Sequence, residues 1–388
     1  MTFQDKNKDL QAQIFRGKEG LQALEARWRT LQENLPDLRF IHYYGWSKSR
    51  LENIEPNTES VVFVLASEAE RPIAIFPLQH VVIRRFGLSL RTWEIYWPGD
   101  MGICDFIFAR TFANSQMMKW LVASLNQRKE LAWDTLRLQD TMVDSCALYS
   151  LRLARIPLFL STLHHHSKYI RCDADYETVM GRLSGNFRKN VRRQTKKIAG
   201  LGDVEYQFVS NSQQLEEAFK HFLHAEATSW KGDSGTGSAI QLYEDKVGFY
   251  HGLMREFSMY SACSINLIIV GGRCIASQFC LTIGDTLYLL KIGYSEEYRA
   301  LGPGNVLLNE LIQRCCMNSK IQKISFITSA NWNDNWVPEV LDVYESYIFN
   351  YTFSGIAAYL FEKIKNLGRY LKHGLQRQWE HKRKTLNA

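Results

Sequence analysis

The sequence predicts an α/β fold of the α+β kind in two tandem domains, each a mixed, mainly antiparallel sheet flanked by helices. Three observations lead there. A chain of 388 residues is too long for one compact core and suggests two units of roughly 150 to 200 residues. Both halves present a strand meander that feeds a strand–helix–strand unit, an order that suggests an ancient duplication. Residues 287–308 read as an aromatic strand, an Arg-x-x-Gly-x-Gly turn (Arg299, Gly302, Gly304) and an amphipathic helix, and only the second half has such a turn.

In the first half, residues 17–33 form a helix with Leu21, Leu24, Trp28 and Leu31 on one side. Residues 61–66 and 72–80 are strands joined by a polar hairpin segment at 67–71. The β pattern continues over 93–97 and 106–109, across the turn 98–102. A helix at 112–126, a strand at 136–138, a helix at 145–154 and a strand at 158–162 complete this half. In the second half a helix lies within 176–199, followed by a strand at 204–209 and a helix at 212–230. A flexible Gly/Ser loop at 231–238 precedes a helix at 239–257. Strands at 263–269, 274–283 and 286–294 form a meander with turns at Gly271-Gly272 and Gly284-Asp285. The Gly-rich turn, a helix at 305–317 and a strand at 323–328 follow. The domains divide as 1–165, 166–352 and a basic amphipathic helix at 353–388.

Composition excludes several classes. Hydrophobic residues make up 46% of the chain and aromatics 13%, which is a buried globular protein rather than a disordered one. The eight cysteines show no Cys-x-x-Cys spacing and sit in apolar segments, as reduced thiols do, so neither a disulfide framework nor a zinc site is expected. The N-terminus lacks a signal peptide's apolar core, and no apolar run approaches the ~20 residues that span a bilayer. A cytoplasmic protein is expected, with peripheral attachment to the inner face of the membrane as the one exception. The net charge of +7 is unevenly placed. From residue 362 onward eight Lys or Arg face two Glu, and residues 182–197 hold seven Lys or Arg and no acid. Both runs suit either a solvated helix face or an anionic partner.

A Gly-rich turn between a strand and a helix aims backbone N–H groups at one point, where the positive end of the helix dipole favours a pyrophosphate. The plainer reading of Gly302-Pro-Gly304 is a helix start. The strand before it and the helix 305–312 after it strengthen the anion-site reading.

With these residues in place the chain resembles the GNAT superfamily of N-acetyltransferases, whose acyl-CoA loop is Arg/Gln-x-x-Gly-x-Gly/Ala. More narrowly it is similar to the CelD-type acyltransferases associated with bacterial polysaccharide biosynthesis and related to the FemAB peptidyltransferases. The stretches that carry the likeness are Ala74-Ile-Phe-Pro-Leu78, Arg182-Leu-Ser-Gly-Asn-Phe-Arg-Lys-Asn-Val-Arg-Arg193, Glu226-Ala-Thr-Ser-Trp-Lys-Gly232 with Gly235-Thr-Gly237, and Lys291-Ile-Gly-Tyr294 with Gly302-Pro-Gly304. At 330–336 the chain departs from it: the family commonly has Gly-Asp-x-x-Tyr-Lys, and this chain reads Ala-Asn-Trp-Asn-Asp-Asn-Trp. The resemblance implies two tandem GNAT-like domains, the second of which binds acyl-CoA, acetyl-CoA being the first expectation. It implies that Tyr288, Leu290 and Ile292 lie on a splayed strand against the acyl-pantetheine. The N–H groups of Leu301, Gly302, Gly304 and Asn305 would meet the pyrophosphate, with Arg299 adding charge.

Acyl transfer to an amine needs a held thioester, a polarised carbonyl and a route for the ammonium proton. Glu226, four residues before Trp230 on the same helix face, is the first choice for general base, against the plain reading of a solvated helical Glu. Lys291, ionisable within an apolar strand, would orient the acceptor or contact the acyl carbonyl, unless it is an edge residue facing water. Tyr294 would protonate the departing thiolate or simply pack. Trp230 and Lys231 frame an acceptor pocket, or a helix-end core contact. His164-His165-His166 is not read as a metal site, because neighbouring strand residues point to opposite faces and no Cys or acid is spaced to help. Arg188, Lys189, Arg192, Arg193, Lys196 and Lys197 form a charged stripe opposite Leu183, Phe187, Val191 and Ile198, suited to the CoA 3′-phosphate or an anionic acceptor. Ile356, Leu360, Ile364, Leu367, Leu371 and Leu375 share one side of a basic helix that would dock on an anionic membrane or pack on the body. Three functions fit: an acyl-CoA-dependent N-acyltransferase acting on an amino sugar or similar amine in surface-polysaccharide synthesis, a FemAB-like transferase using aminoacyl-tRNA, and a non-catalytic scaffold.

Overall fold

The computed structural model describes residues 10–96, 102–112 and 114–366. Trp97, residues 98–101 of the predicted turn and the C-terminal helix beyond residue 366, including Leu367, Leu371 and Leu375, lie outside them.

The first half runs β1 (Gln11–Arg16), α1 (Gly17–Glu33), α2 (Tyr44–Asn53), β2 (Val61–Glu68), β3 (Arg71–Arg85), β4 (Leu88–Ile95), β5 (Ile107–Phe108), α3 (Ser115–Asn126), β6 (Thr135–Met142) and α4 (Cys146–Ala154). The second runs β7 (Phe159–Arg171), α5 (Tyr176–Gly181), α6 (Gly185–Ala199), β8 (Val204–Val209), α7 (Ser212–Ala227), α8 (Glu244–Ser258), β9 (Cys263–Val270), β10 (Arg273–Ile283), β11 (Thr286–Tyr294), α9 (Pro303–Met317), β12 (Lys323–Ser325) and β13 (Glu339–Phe349). Residues 353–366 are helical.

Local sequence explains the boundaries. Asn114, Ser145, Asp175, Ser184 and Asn211 each accept a backbone N–H with the side chain, capping α3 through α7 in turn. The expected helix within 176–199 is therefore two, because Ser184 starts a new one after α5 ends. The apolar side of α1 is buried as predicted, and Trp28 donates its Nε1–H to the His42 carbonyl at 2.8 Å. Truncating such a fully buried Trp costs about 3–5 kcal/mol.

All strands join in one sheet, ordered β1-β2-β3-β4-β6-β13-β7-β12-β11-β10-β9-β8, with β5 paired to β3. Each half has the expected helices packed on both faces. In the first half Val61, Phe63 and Leu65 of β2 pack with α1, and Val62, Val64 and Ala66 pack with α3 and α4. In the second, α7 and α8 cover one face of β9–β11, and α5, α6 and α9 cover the other. The two halves are not separate sheets, however. β13 pairs antiparallel with both β6 and β7 and so joins them. The predicted boundary at 165/166 falls inside β7, which is 13 residues long rather than ending at 162. β13 lies outside the elements predicted from the sequence, although Val343, Tyr347, Ile348 and Phe349 are strand-forming residues.

Candidate functional site

β11 and β12 begin side by side and then part. They pair in parallel only from Thr286 to Tyr288 against Lys323 to Ser325, so the rest of β11 runs past the end of β12. Here, beside the Gly-rich turn, lies a cavity of about 520 Å³. Ile292, Gly293 and Tyr294 line it from β11, Ser277 and Gln278 from β10, and Arg299, Gly302, Gly304 and Asn305 from the turn. Gln194 of α6, Trp230 and Trp332 close it.

The turn is built as its glycines require. Residues 296–301 form a 3₁₀ turn, Gly302 takes a left-handed φ of 61°, and Pro303 opens α9. A Cβ at Gly302 would stand 2.1 Å from Gln194 Nε2, so α6 rests directly on the turn. A Cβ at Gly304 would meet Tyr294 Cδ1 at an ordinary 3.5 Å. Two of the amides expected to face a pyrophosphate are used by the turn itself. Gly302 N–H donates to the Arg299 carbonyl at 3.0 Å, and Asn305 N–H to the Gly302 carbonyl at 3.1 Å. Arg299 is largely exposed, 3.6 Å from Glu296.

The strand bears a correction. The β10–β11 register shifts between Phe279 and Cys280, opposite Lys291 and Leu289, so Leu290 is a bulge residue. Alternation resets there. Leu287, Leu289, Ile292 and Tyr294 face α5, α6 and α9, whereas Tyr288 and Leu290 are buried on the opposite face. Tyr288 and Leu290 therefore do not line the cavity with Ile292. Tyr288 instead packs edge-on to Phe40, and burial pushes its phenol up to about 12 although Arg39 opposes the shift.

The catalytic expectations also divide. Tyr294 lines the cavity, its ring 5.0 Å from that of Trp230, and burial followed by Glu296 raises its phenol pKa. Glu226 does not line the cavity. It is fully buried, with Oε1 accepting from Lys231 Nζ at 3.0 Å and Oε2 from Ile240 N–H at 2.7 Å, so it is neither solvated nor open to a substrate in this state. Lys231 Nζ also donates to the Ile292 carbonyl at 2.7 Å, and burial lowers its pKa against the pull of Glu226. Lys291 lies on the α8 side, its ammonium 5.9 Å from the Tyr250 ring centroid. Residues 231–238 are not a loose loop. Thr236 N–H donates to the Trp230 carbonyl, and the Ser238 and Ala239 N–H groups both donate to the Lys231 carbonyl. Tyr243 separates a short 3₁₀ turn from α8, splitting the helix expected at 239–257.

Four lining residues, Ser277, Gln278, Gln194 and Trp332, lie outside the predicted set. Ser277 and Gln278 are adjacent buried polar residues in an otherwise apolar strand, and that interruption was the available signal. Gln194 is a neutral residue at 194 within a basic run, and its buried Oε1 has no hydrogen-bond partner. Trp332 comes from the segment that departs from the family pattern. On α6, Lys189, Arg192, Arg193, Lys196 and Lys197 of the stripe are exposed and Arg188 is half-buried, while Val191 and Ile198 are buried and Phe187 half-buried.

Residues 185–335 match the model of the acetyltransferase (GNAT) domain family. No curated protein matches the sequence. Among solved structures, the chain is similar to FemX (TM-score 0.56, 10% identity, covering 85% of this chain and 96% of that one). It is also similar to the C-terminal domain of a putative lysylphosphatidylglycerol synthetase from Agrobacterium fabrum (TM-score 0.51, 8% identity, 87% and 95% covered). A third likeness is to L-PGS from Bacillus licheniformis (TM-score 0.50, 10% identity, 86% and 95% covered). At these identities the likeness is one of fold, and it extends over both halves.

Proposed function

On the premise that residues 185–335 are an acetyltransferase domain of the GNAT superfamily, we propose that this chain is an acyl-CoA-dependent N-acyltransferase. The observation that carries the reading is the cavity where β11 leaves β12, capped by the Gly302–Gly304 turn at the start of α9. The residues present fit a phosphorylated thioester. Arg299 supplies a solvent-facing cation, Gly304 leaves room in front of Tyr294, and the unpaired Gln194 Oε1 and the polar Ser277 and Gln278 offer hydrogen bonds. When bound, acyl-CoA supplies an activated acyl group. The protein's own part is to hold the phosphates at the α9 N-terminus, exclude water with Trp230 and Trp332, and place the Tyr294 hydroxyl to protonate the leaving thiolate. Glu226 and Lys231 position this end of β11 through the Ile292 carbonyl. Acetyl-CoA is the donor tested first, and the acceptor proposed is an amino sugar or similar amine in surface-polysaccharide synthesis, as the CelD-like resemblance implies.

A second reading, an aminoacyl-tRNA donor as in FemAB-like transferases, draws on two observations. The Gly302 and Asn305 amides are engaged within the turn, and α6, which carries the basic stripe, reaches the cavity through Gln194. Thermal shift and isothermal titration separate the readings. A melting point that rises with CoA or acetyl-CoA, as ligand binding to the native state requires, supports the first. No response to either, with salt-dependent tRNA binding, supports the second.

A further inference from the structure

Asp140, His164 and His165 meet at the seam between the two halves, and none of them lines the acyl-donor cavity. The rule that adjacent strand residues point to opposite faces fails here because both strands are irregular. β7 shifts register against β13 between Val343, opposite His165, and Tyr344, opposite Leu163, leaving His164 in a bulge. β6 shifts against β13 between Tyr344, opposite Thr141, and Ser346, opposite Leu138, and Asp140 in that interval has a φ of +49°. A positive φ is uncommon for a non-glycine residue, and Asp is among those that adopt it most readily.

The outcome is one carboxylate oxygen facing two imidazoles. His164 Nδ1 lies 2.9 Å and His165 Nε2 3.1 Å from Asp140 Oδ1, and the three ligand atoms all lie within 4.8 Å of one another. The other ring nitrogen of His165, Nδ1, stands 3.1 Å from the His166 carbonyl. A neutral imidazole has one N–H, so His165 cannot satisfy two oxygen acceptors at once. Something positive must lie between Nε2 and Asp140: either a second proton or a metal ion. The contact from Nδ1 to the His166 carbonyl is the arrangement that fixes a histidine with its Nε2 lone pair toward a metal. Asp140 is buried, whereas the His164 ring is half-exposed and gives an ion a route in from solvent. A Cβ at Gly102 would press on His165 Cε1 at 3.3 Å, so that backbone also closes on the ring.

The geometry points to a divalent-metal site formed by His164 Nδ1, His165 Nε2 and the Asp140 carboxylate. Two nitrogens and one oxygen suit Zn²⁺ or Co²⁺, not the all-oxygen preference of Ca²⁺ or Mg²⁺. N···O separations near 3 Å are hydrogen-bond distances that an ion with bonds of about 2.0–2.2 Å would keep at angles near 90° or open slightly at tetrahedral ones. Three protein ligands leave at least one position for water. Because Asp140 comes from β6 and the histidines from β7, on either side of β13, a bound ion would also tie the first half to the second.

The test uses full-length protein stripped by chelator and desalted, then titrated with Co²⁺ at neutral pH while the visible d–d bands are followed. One equivalent of Co²⁺ with bands displaced by Zn²⁺, and an affinity at least about tenfold weaker in Asp140→Asn and in His164→Ala, is the expected result. His164→Ala removes a half-exposed ring and so keeps the measurement available if Asp140→Asn fails to fold. Absence of Co²⁺ and Zn²⁺ uptake by the native chain would overturn the site and leave His165 as an imidazolium paired with Asp140. Unchanged affinity in His164→Ala would overturn it equally.

Discussion

Lys231 Nζ bridges the Glu226 carboxylate, at 3.0 Å, and the Ile292 carbonyl, at 2.7 Å, and so pins the end of α7 to the strand that borders the cavity. Glu226 is fully buried and the Lys231 side chain is 15% exposed. Removing one member of such a pair strands a charge in a poorly solvated place and costs on the order of 3–5 kcal/mol. Lys231→Met and Glu226→Gln should each lose about that much in urea denaturation. The double variant should lose less than the two together. Losses under about 1 kcal/mol would show that water reaches the pair.

Gly293 and Gly304 line the same cavity but should respond differently. A Cβ at Gly293 would lie 2.6 Å from Glu226 Cα, a backbone atom that cannot step aside. Gly293→Ala should therefore cost about 1–3 kcal/mol as overpacking. At Gly304 the nearest atom is Tyr294 Cδ1 at 3.5 Å, so Gly304→Ala should leave the melting point almost unchanged. Its effect should fall on acyl-CoA affinity, read by isothermal titration.

Tyr294→Phe keeps the ring contact with Trp230, 5.0 Å between centroids, and deletes only the hydroxyl. If that hydroxyl protonates the leaving thiolate, kcat should fall by about 10²-fold or more with KM nearly constant. An unchanged kcat would reduce Tyr294 to packing.

His42 should stay neutral far into acid. Burial, and then Arg39, lower its pKa to about 3, and its Nδ1 already accepts the Arg39 backbone N–H at 3.0 Å. The unfolded chain binds a proton near the ordinary histidine value of 6.5, so native protein holds fewer protons at this residue between about 3 and 6.5. His42 thus makes stability fall as pH drops through that window. Asp105 acts oppositely: burial pushes its carboxyl up to about 6 despite Arg39, so its contribution improves as pH falls. The His42 ring resonances should not titrate between about pH 4.5 and 8. Asp105→Asn should steepen the loss of stability on acidification, measured by urea midpoints across the same range.

The helix over 353–366 sits on the first half through Ala358 and Glu362, the latter paired with Arg85. Its apolar stripe faces solvent: Phe353 is 84% exposed and Ile364 67%. Among the described residues no helix is long and apolar enough to cross a membrane. The exposed stripe, with the basic residues beyond it in the sequence, should bring the protein to anionic vesicles in a flotation assay. Deletion of residues 354–388 should abolish that. An equal soluble fraction for both proteins would remove the membrane reading.

Much of the candidate site was legible because its signals are local. Arg299, Gly302 and Gly304 lie within six residues, and a left-handed φ beside a proline at the first helical position needs only neighbouring chain. Trp230, expected from the end of a helix, and Tyr294, expected from the end of a strand, meet ring to ring at the cavity, whereas Lys231 bonds to Glu226 and the Ile292 carbonyl. Tyr288 and Leu290 were misplaced because a one-residue bulge inverts the strand's alternation, and only the partner's register reveals it. The same effect hid the approach of His164 and His165 to Asp140.

The sequence alone thus determined the mixed, helix-flanked sheets and the Gly-rich turn that starts α9, since each follows from periodicity or backbone conformation over a few residues. Tertiary structure decided that the halves share one sheet, because β13 supplies hydrogen-bonding edges to strands about 170 to 214 residues earlier in the chain. It also decided that Glu226 is buried and paired with Lys231 and not an open carboxylate. Burial and pairing are properties of the assembled neighbourhood, and no spacing within α7 encodes them.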